Sequence, residues 1–321
     1  MREVAPKRIH LGTQKLRHLA VSALALTLAV GCSEEEPGQE LGAPVDDSLT
    51  HEVRYGALTA EFLYPRAWES EGVAVQAHFI HARGVAVGPA LDALEMWTPT
   101  RGLATGTCEA IDGQRSAMSS EQASLHLLDV GDIAVEAPTA DALLAPRRLP
   151  DLLNAFYGVV YGSEWAWESQ GAVLDYFPGA LYRFAAPGGP HIGGFDQALA
   201  APDPMVLVGI NGAELRGQEA ALISDSRPVD LVWELGVAQP ATEVYIDVSA
   251  GFGPERRRVQ CRTTDDGAFS VPGALLRPLW EEAETLELVV RRVRHEEVGL
   301  EGLDEADFFF TAADRLELNR R

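Results

Sequence analysis

Cysteine and histidine are scarce in this chain, so each one is a candidate for chemistry. The cysteines are Cys32, Cys108 and Cys261. Cys108 and Cys261 are free to pair in an oxidising compartment. A bridge needs their Cα atoms within about 7 Å, which spacing alone does not decide. The alternative is two separate buried thiols acting as small apolar side chains. Trp165 and Trp167 alternate within EWAWE, so a strand there puts both indoles on one face and Glu164 and Glu168 on the other. Exposed, the pair is a platform for sugar rings; turned inward, it is ordinary core. His78 and His81 are three apart, so a strand points them to opposite faces and they do not share a metal ion. Asp265-Asp266-Gly267 and the stretch Glu301 to Asp307 are rich in oxygen ligands but lack EF-hand spacing. They read as a turn and a solvated acidic surface. No Gly-x-Ser-x-Gly, Cys-x-x-Cys or His-Glu-x-x-His occurs. The reading therefore assigns no cofactor, no metal and no catalytic residue.

The elements that place these residues begin with the first 31. Arg2, Lys7, Arg8, Lys15 and Arg17 form a basic leader, followed by the apolar run Leu19 to Val30. That run is too short for a bilayer, which needs about 18–20 residues. Basic leader, short apolar core and small residues before a cysteine make a secretory signal peptide. Leu28-Ala29-Val30-Gly31-Cys32 resembles the bacterial lipobox, with Ala29 where leucine is commonest. The resemblance implies a diacylglyceryl group on Cys32 and cleavage before it. By resemblance to enterobacterial sorting rules, Ser33 directs the product to the outer membrane.

Charge sharpens the picture. The chain has 321 residues, 48 acids and 26 bases, net −22. Removing residues 1–31 removes five bases and one acid, leaving 21 arginines, 47 acids and a net charge of −26. Both lysines, Lys7 and Lys15, go with the leader. Schiff-base, Walker-A and Ser-x-x-Lys chemistry are thereby excluded from the mature chain. Such a charge also argues against nucleic-acid partners. The acidic Pro- and Gly-containing stretch 32–50 reads as a disordered tether.

From residue 51 the chain reads as all-β. Short alternating runs recur between turn residues: Leu58–Leu63, Val73–Ile80, Leu125–Leu128, Ile133–Glu136, Tyr157–Tyr161, Leu181–Ala185, Met205–Ile210, Val229–Leu235, Glu243–Ser249, Arg257–Thr263, Leu286–Val293 and Asp307–Thr311. Two short helices are expected, Leu149–Ala155 and Ala274–Glu284. Ala201-Pro202-Asp203-Pro204 interrupts the pattern, predicting one β-sandwich over 51–202 and a second, immunoglobulin- or fibronectin-III-like, over 203–321. Alternation predicts Trp233 in the core. It also predicts basic outward rows at Arg256, Arg258 and Arg262, and at Arg292 and Arg294, paired with acids across strands.

Phe177–Pro202 (FPGALYRFAAPGGPHIGGFDQALAAP) and Gln260–Leu276 (QCRTTDDGAFSVPGALL) resemble segments of uncharacterised predicted outer-membrane lipoproteins of myxobacteria and related bacteria. The resemblance implies a β-sandwich in the cell envelope and no particular activity. The sequence thus reads as a non-catalytic envelope lipoprotein, held to the membrane through Cys32, with an envelope protein or glycan as partner. Two alternatives stay open: a carbohydrate-binding module using Trp165 and Trp167, and an envelope hydrolase using a carboxylate pair.

Overall fold

Val244, Ile246 and Val248 alternate with Tyr245, Asp247 and Ser249, and a period of two is the period of a strand. The pattern recurs along the chain, and strands are what form. A computed structural model describes residues 52–65, 72–94, 96–111, 124–144, 146–148, 165–168, 174–215, 217–224, 227–237, 242–250 and 256–321. The lipobox with Cys32, the tether, the helix expected at Leu149–Ala155 and the strand expected at Tyr157–Tyr161 lie outside the described residues.

The elements are β1 (Glu52–Leu63), β2 (Val73–Arg83), α1 (Val87–Ala93), β3 (Thr107–Ile111), β4 (Ser124–Leu127), β5 (Ile133–Glu136), β6 (Asp141–Leu144), β7 (Pro146–Arg148), β8 (Trp165–Glu168), β9 (Leu181–Gly188) and β10 (Gly193–Ala200). There follow β11 (Leu207–Ile210), β12 (Ala213–Glu214), β13 (Ala220–Ile223), β14 (Val229–Trp233), β15 (Thr242–Ala250), β16 (Arg257–Thr264), β17 (Ala268–Val271), α2 (Gly273–Glu282), β18 (Thr285–Glu297) and β19 (Glu305–Arg320). The fold is all-β, several sheets packed together. Among the described residues no helix is long and apolar enough to cross a membrane.

The largest sheet runs β3-β16-β15-β18-β19-β1-β2-β8-β7, with β13 also on β19 and β4 on β2. Two smaller sheets run β10-β9-β5-β6 and β12-β11-β14-β17. β1 lies parallel to β19, Leu58 opposite Phe308, and β18 and β19 form a long antiparallel hairpin.

Even-numbered side chains of β19 feed two cores. Phe308 and Phe310 join Leu58, Phe79, Phe184 and Phe195 in the first, while Leu316 and Leu318 join Trp233, Ile246, Cys261 and Leu288 in the second. Each fully buried phenylalanine contributes roughly 2–3 kcal/mol. α2 presents Leu276, Leu279 and Trp280, one helical face, to the second core. Both the largest sheet and the first core draw on residues from either side of the expected division at 202/203: Val298, Leu300, Phe308 and Phe310 pack with Leu58 and Phe184.

Arg292 lies at this seam, fully buried. Its guanidinium makes a two-pronged bond to Asp265 (2.7 and 2.9 Å) and donates to the carbonyls of Asp203, Pro204 and Glu234. Asp314 is buried on the neighbouring strand and accepts from the Leu207 amide at 2.7 Å. The outward row expected at Arg292 is therefore corrected. Its parity was sound, but β18 is covered on both faces: Leu288 and Val290 pack in the second core, and Val289 and Val293 are buried on the other side. That other face carries α1 and the segment 96–105. A third core forms there from Tyr55, Ala57, Ile80, Leu91, Met96 and Leu125.

Candidate functional site

The covered face of the largest sheet gathers polar side chains that sequence spacing leaves far apart. Glu61 on β1, Thr311 on β19, Arg291 on β18, Asp247 on β15 and Gln260 on β16 share it. Arg291 donates to Glu61 Oε2 and to Asp247 Oδ2, both at 2.9 Å, and stacks over Trp97 with its guanidinium carbon 4.7 Å from the ring centre. The Trp97 indole N–H also donates to Asp247 Oδ2 (2.8 Å), and Gln260 to Asp247 Oδ1 (2.8 Å). Thr100 N–H closes the chain by donating to Gln260 Oε1. Burial works against the charge of Arg291, but Glu61 and then Asp247 outweigh it and raise its pKa. Every charge named here is matched, which is how a buried polar network rigidifies a fold.

Along the same face Asp307 accepts from Tyr55 Oη (2.7 Å) and pairs with His295 Nε2 (2.7 Å), and Arg101 joins them at 3.3 Å. Burial opposes ionisation of Asp307, yet the bonds from His295 and Tyr55 hold its carboxyl below the usual range. Burial first, then the Asp307 charge, drives the Tyr55 phenol far above its ordinary pKa. His295 is 44% exposed and stacks on Phe309. Among the described residues no hydroxyl or thiol is hydrogen-bonded to His295.

The two histidines three apart do diverge. His78 is buried, bonded to Gln76 at 2.9 Å, with Nδ1 unpartnered, and burial pushes its pKa down to about 4. His81 pairs with Glu52 at 2.6 Å and lies opposite His126, a neighbour 45 positions away that spacing does not reveal. Among the described residues no group of three or more His, Cys, Asp or Glu side chains could hold a metal. The acidic stretches are spent internally. Asp265 serves Arg292 and the Trp233 indole, Asp304 accepts from the Arg54 amide, and Glu305 pairs with Arg101.

Cys108 and Cys261 face each other directly on β3 and β16, joined by an S–S bond of 2.08 Å with Cα atoms 3.9 Å apart. Trp165 and Trp167 stand on β8, with Trp167 opposite Ala77 of β2, and their side chains lie outside the described residues. Of the arginine rows, Arg256 pairs with Glu287, Arg257 with Glu282 (2.5 Å) and Arg262 with Glu243. A cavity of about 490 Å³ opens between Tyr64–Pro65 and the β11–β12 hairpin, lined by Glu214 and Glu234. Only the fold selects these two carboxylates: Leu215 N–H bonds to Val208 O and Glu234 N–H to Val206 O, bringing both acids beside β11.

No protein-family model matches this chain, and no curated protein or solved structure does either.

Proposed function

We propose that this protein is an exported lipoprotein, anchored to the cell envelope through Cys32, whose folded part is a non-catalytic binding or structural module. The observation that carries the reading is the Cys108–Cys261 bond. Such a bond belongs to compartments that oxidise thiols, and a signal peptide with a lipobox-like end delivers a chain to one. The paired state of the polar network adds to it. Arg291, Asp247, Glu61 and Asp307 are engaged with one another or with aromatic side chains, as in a scaffold.

The immunoglobulin-like reading of 203–321 belongs to the same proposal. Lettered in chain order, β11, β14 and β17 take the places A-B-E. β16, β15, β18 and β19 take C′-C-F-G, with the F–G hairpin long and a helix between E and F. Modules of this kind present loops and edges to other proteins or glycans. At net −26 the surface repels polyanions, so the partner is not a nucleic acid.

The test is acylation. Expressed in a diderm bacterium with labelled fatty acid, the wild type should carry label on an N-terminal cysteine and sediment with outer membrane. Cys32→Ala should carry none and leave the membrane fraction. Wild type without label, or a variant that fractionates identically, would end the proposal.

The cavity holding Glu214 and Glu234 favours a second reading, hydrolysis of an envelope glycan by a carboxylate pair. Turnover of peptidoglycan or capsular fragments abolished by Glu214→Gln and by Glu234→Gln would establish it. The Trp165 and Trp167 platform has its own assay: loss of glycan-array binding in Trp165→Ala with the fold intact.

A further inference from the structure

We infer that Cys108 is a site of thiol–disulfide exchange, and that opening its bond to Cys261 detaches strand β3 from the edge of the largest sheet. Three observations converge on it. Among the described residues β3 lies at the edge of the largest sheet, with β16 as its partner. It anchors itself poorly: Thr107, Glu109 and Ala110 are exposed, and Ala104, Thr105 and Gly106 before it are exposed too. The two cysteines are also unequally placed. Cys261 is fully buried in the second core, whereas Cys108 is half-buried at the sheet margin.

Access therefore selects the sulfur attacked. A thiolate of a dithiol reductant attacks Cys108 Sγ, forming a mixed disulfide there while Cys261 leaves as thiolate and takes up a proton. The reductant's second thiolate then attacks its own sulfur in that bond. Cys108 departs as a thiol, the reductant becomes a disulfide, and two electrons and two protons have passed to the protein. Cys261 remains in the core as a small apolar side chain. The segment before residue 104 stays in place, because Trp97 holds Asp247, Thr100 holds Gln260, Leu103 is buried and Arg262 bonds to its carbonyl. Release is confined to residues 104–111. It turns β16 into a free edge whose backbone groups can accept another strand.

The experiment uses the purified full-length chain under native conditions. Incubation with glutathione, acid quench and peptide mapping should place the mixed disulfide on Cys108 at least tenfold over Cys261. After dithiothreitol, amide hydrogen exchange should rise at least tenfold in 104–111 and stay unchanged in 286–293. The double variant Cys108→Ser with Cys261→Ala should show the same fast exchange with no reductant. Equal or preferential adduct on Cys261, unchanged exchange in 104–111, or exchange rising across the whole chain would each overturn the inference.

Discussion

Arg292→Met should destabilise the protein by about 4 kcal/mol, and the structure says where that loss comes from. The guanidinium is buried and makes five bonds, two to Asp265 and three to the carbonyls of Asp203, Pro204 and Glu234. Removing one partner of a buried ion pair costs about 3–5 kcal/mol, because the other charge stays behind. The abandoned carbonyls of Asp203, Pro204 and Glu234 add roughly 1–3 kcal/mol where water does not reach them. Two effects offset this: the Asp265 side chain is 17% exposed and keeps the Trp233 indole N–H, and the methionine stem restores apolar contact worth about 1–2 kcal/mol. Urea denaturation followed by tryptophan emission gives the value, since Trp233 shares Asp265 with Arg292. Adding Asp265→Asn removes the stranded charge, so the double variant should recover about 2 kcal/mol of the loss. A single-variant loss below about 1 kcal/mol, or no recovery in the double, would refute the view that this arginine ties the two cores together.

Three further outcomes follow from groups already described. His78 is held neutral by burial, so between its ordinary 6.5 and about 4 the unfolded chain binds a proton that the folded chain does not. Stability is complete above pH 6.5 and should fall by about 3 kcal/mol as pH drops to 4, a slope that His78→Gln removes; matching slopes in denaturant midpoints would count against it. Tyr55, Tyr176 and Tyr245 are all raised far above their ordinary value, by burial foremost and by neighbouring acids, so at least these three of the seven tyrosines should stay un-ionised at about pH 11 until the protein unfolds. Tyrosinate absorbance that reaches its full value with native circular dichroism intact would contradict this. Gly302 has φ +90° and an added Cβ would strike the His191 carbonyl, so Gly302→Ala should cost about 2 kcal/mol or more in a thermal or urea melt.

Much of the fold is legible in alternation, because strands with one buried face write their pattern plainly. Trp233 is buried with its indole bonded to an acid, as its parity predicts. β5 matches its expected span, Ile133–Glu136, and α2 lies within two residues of its expected limits. The failures have physical causes. β10 reads GGFDQALA, and glycine and alanine weaken the apolar signal although Phe195 and Leu199 reach the core. β19 was expected over five residues and runs to Arg320, because Asp314 and Arg315 look like a break. Asp314 is in fact satisfied inside the seam by a backbone amide. The candidate site was less legible still. Arg291 meets Asp247 and Glu61 only after the sheet has formed, and no spacing rule links Glu214 to Glu234.

The parallel pairing of β1 with β19 has a consequence for how the chain is made. The first strand described here finds its neighbour about 250 positions later, through contacts such as Leu58 with Phe308. Pairings of such long range make folding slow, since a large loop must close before any contact repays it. The first core cannot close until residues 305–312 have arrived. A chain emerging N-terminus first therefore stays open through most of its synthesis. A copy cut short before residue 305 would lack a shared wall for either core, and should be cleared by proteases rather than persist as half a protein.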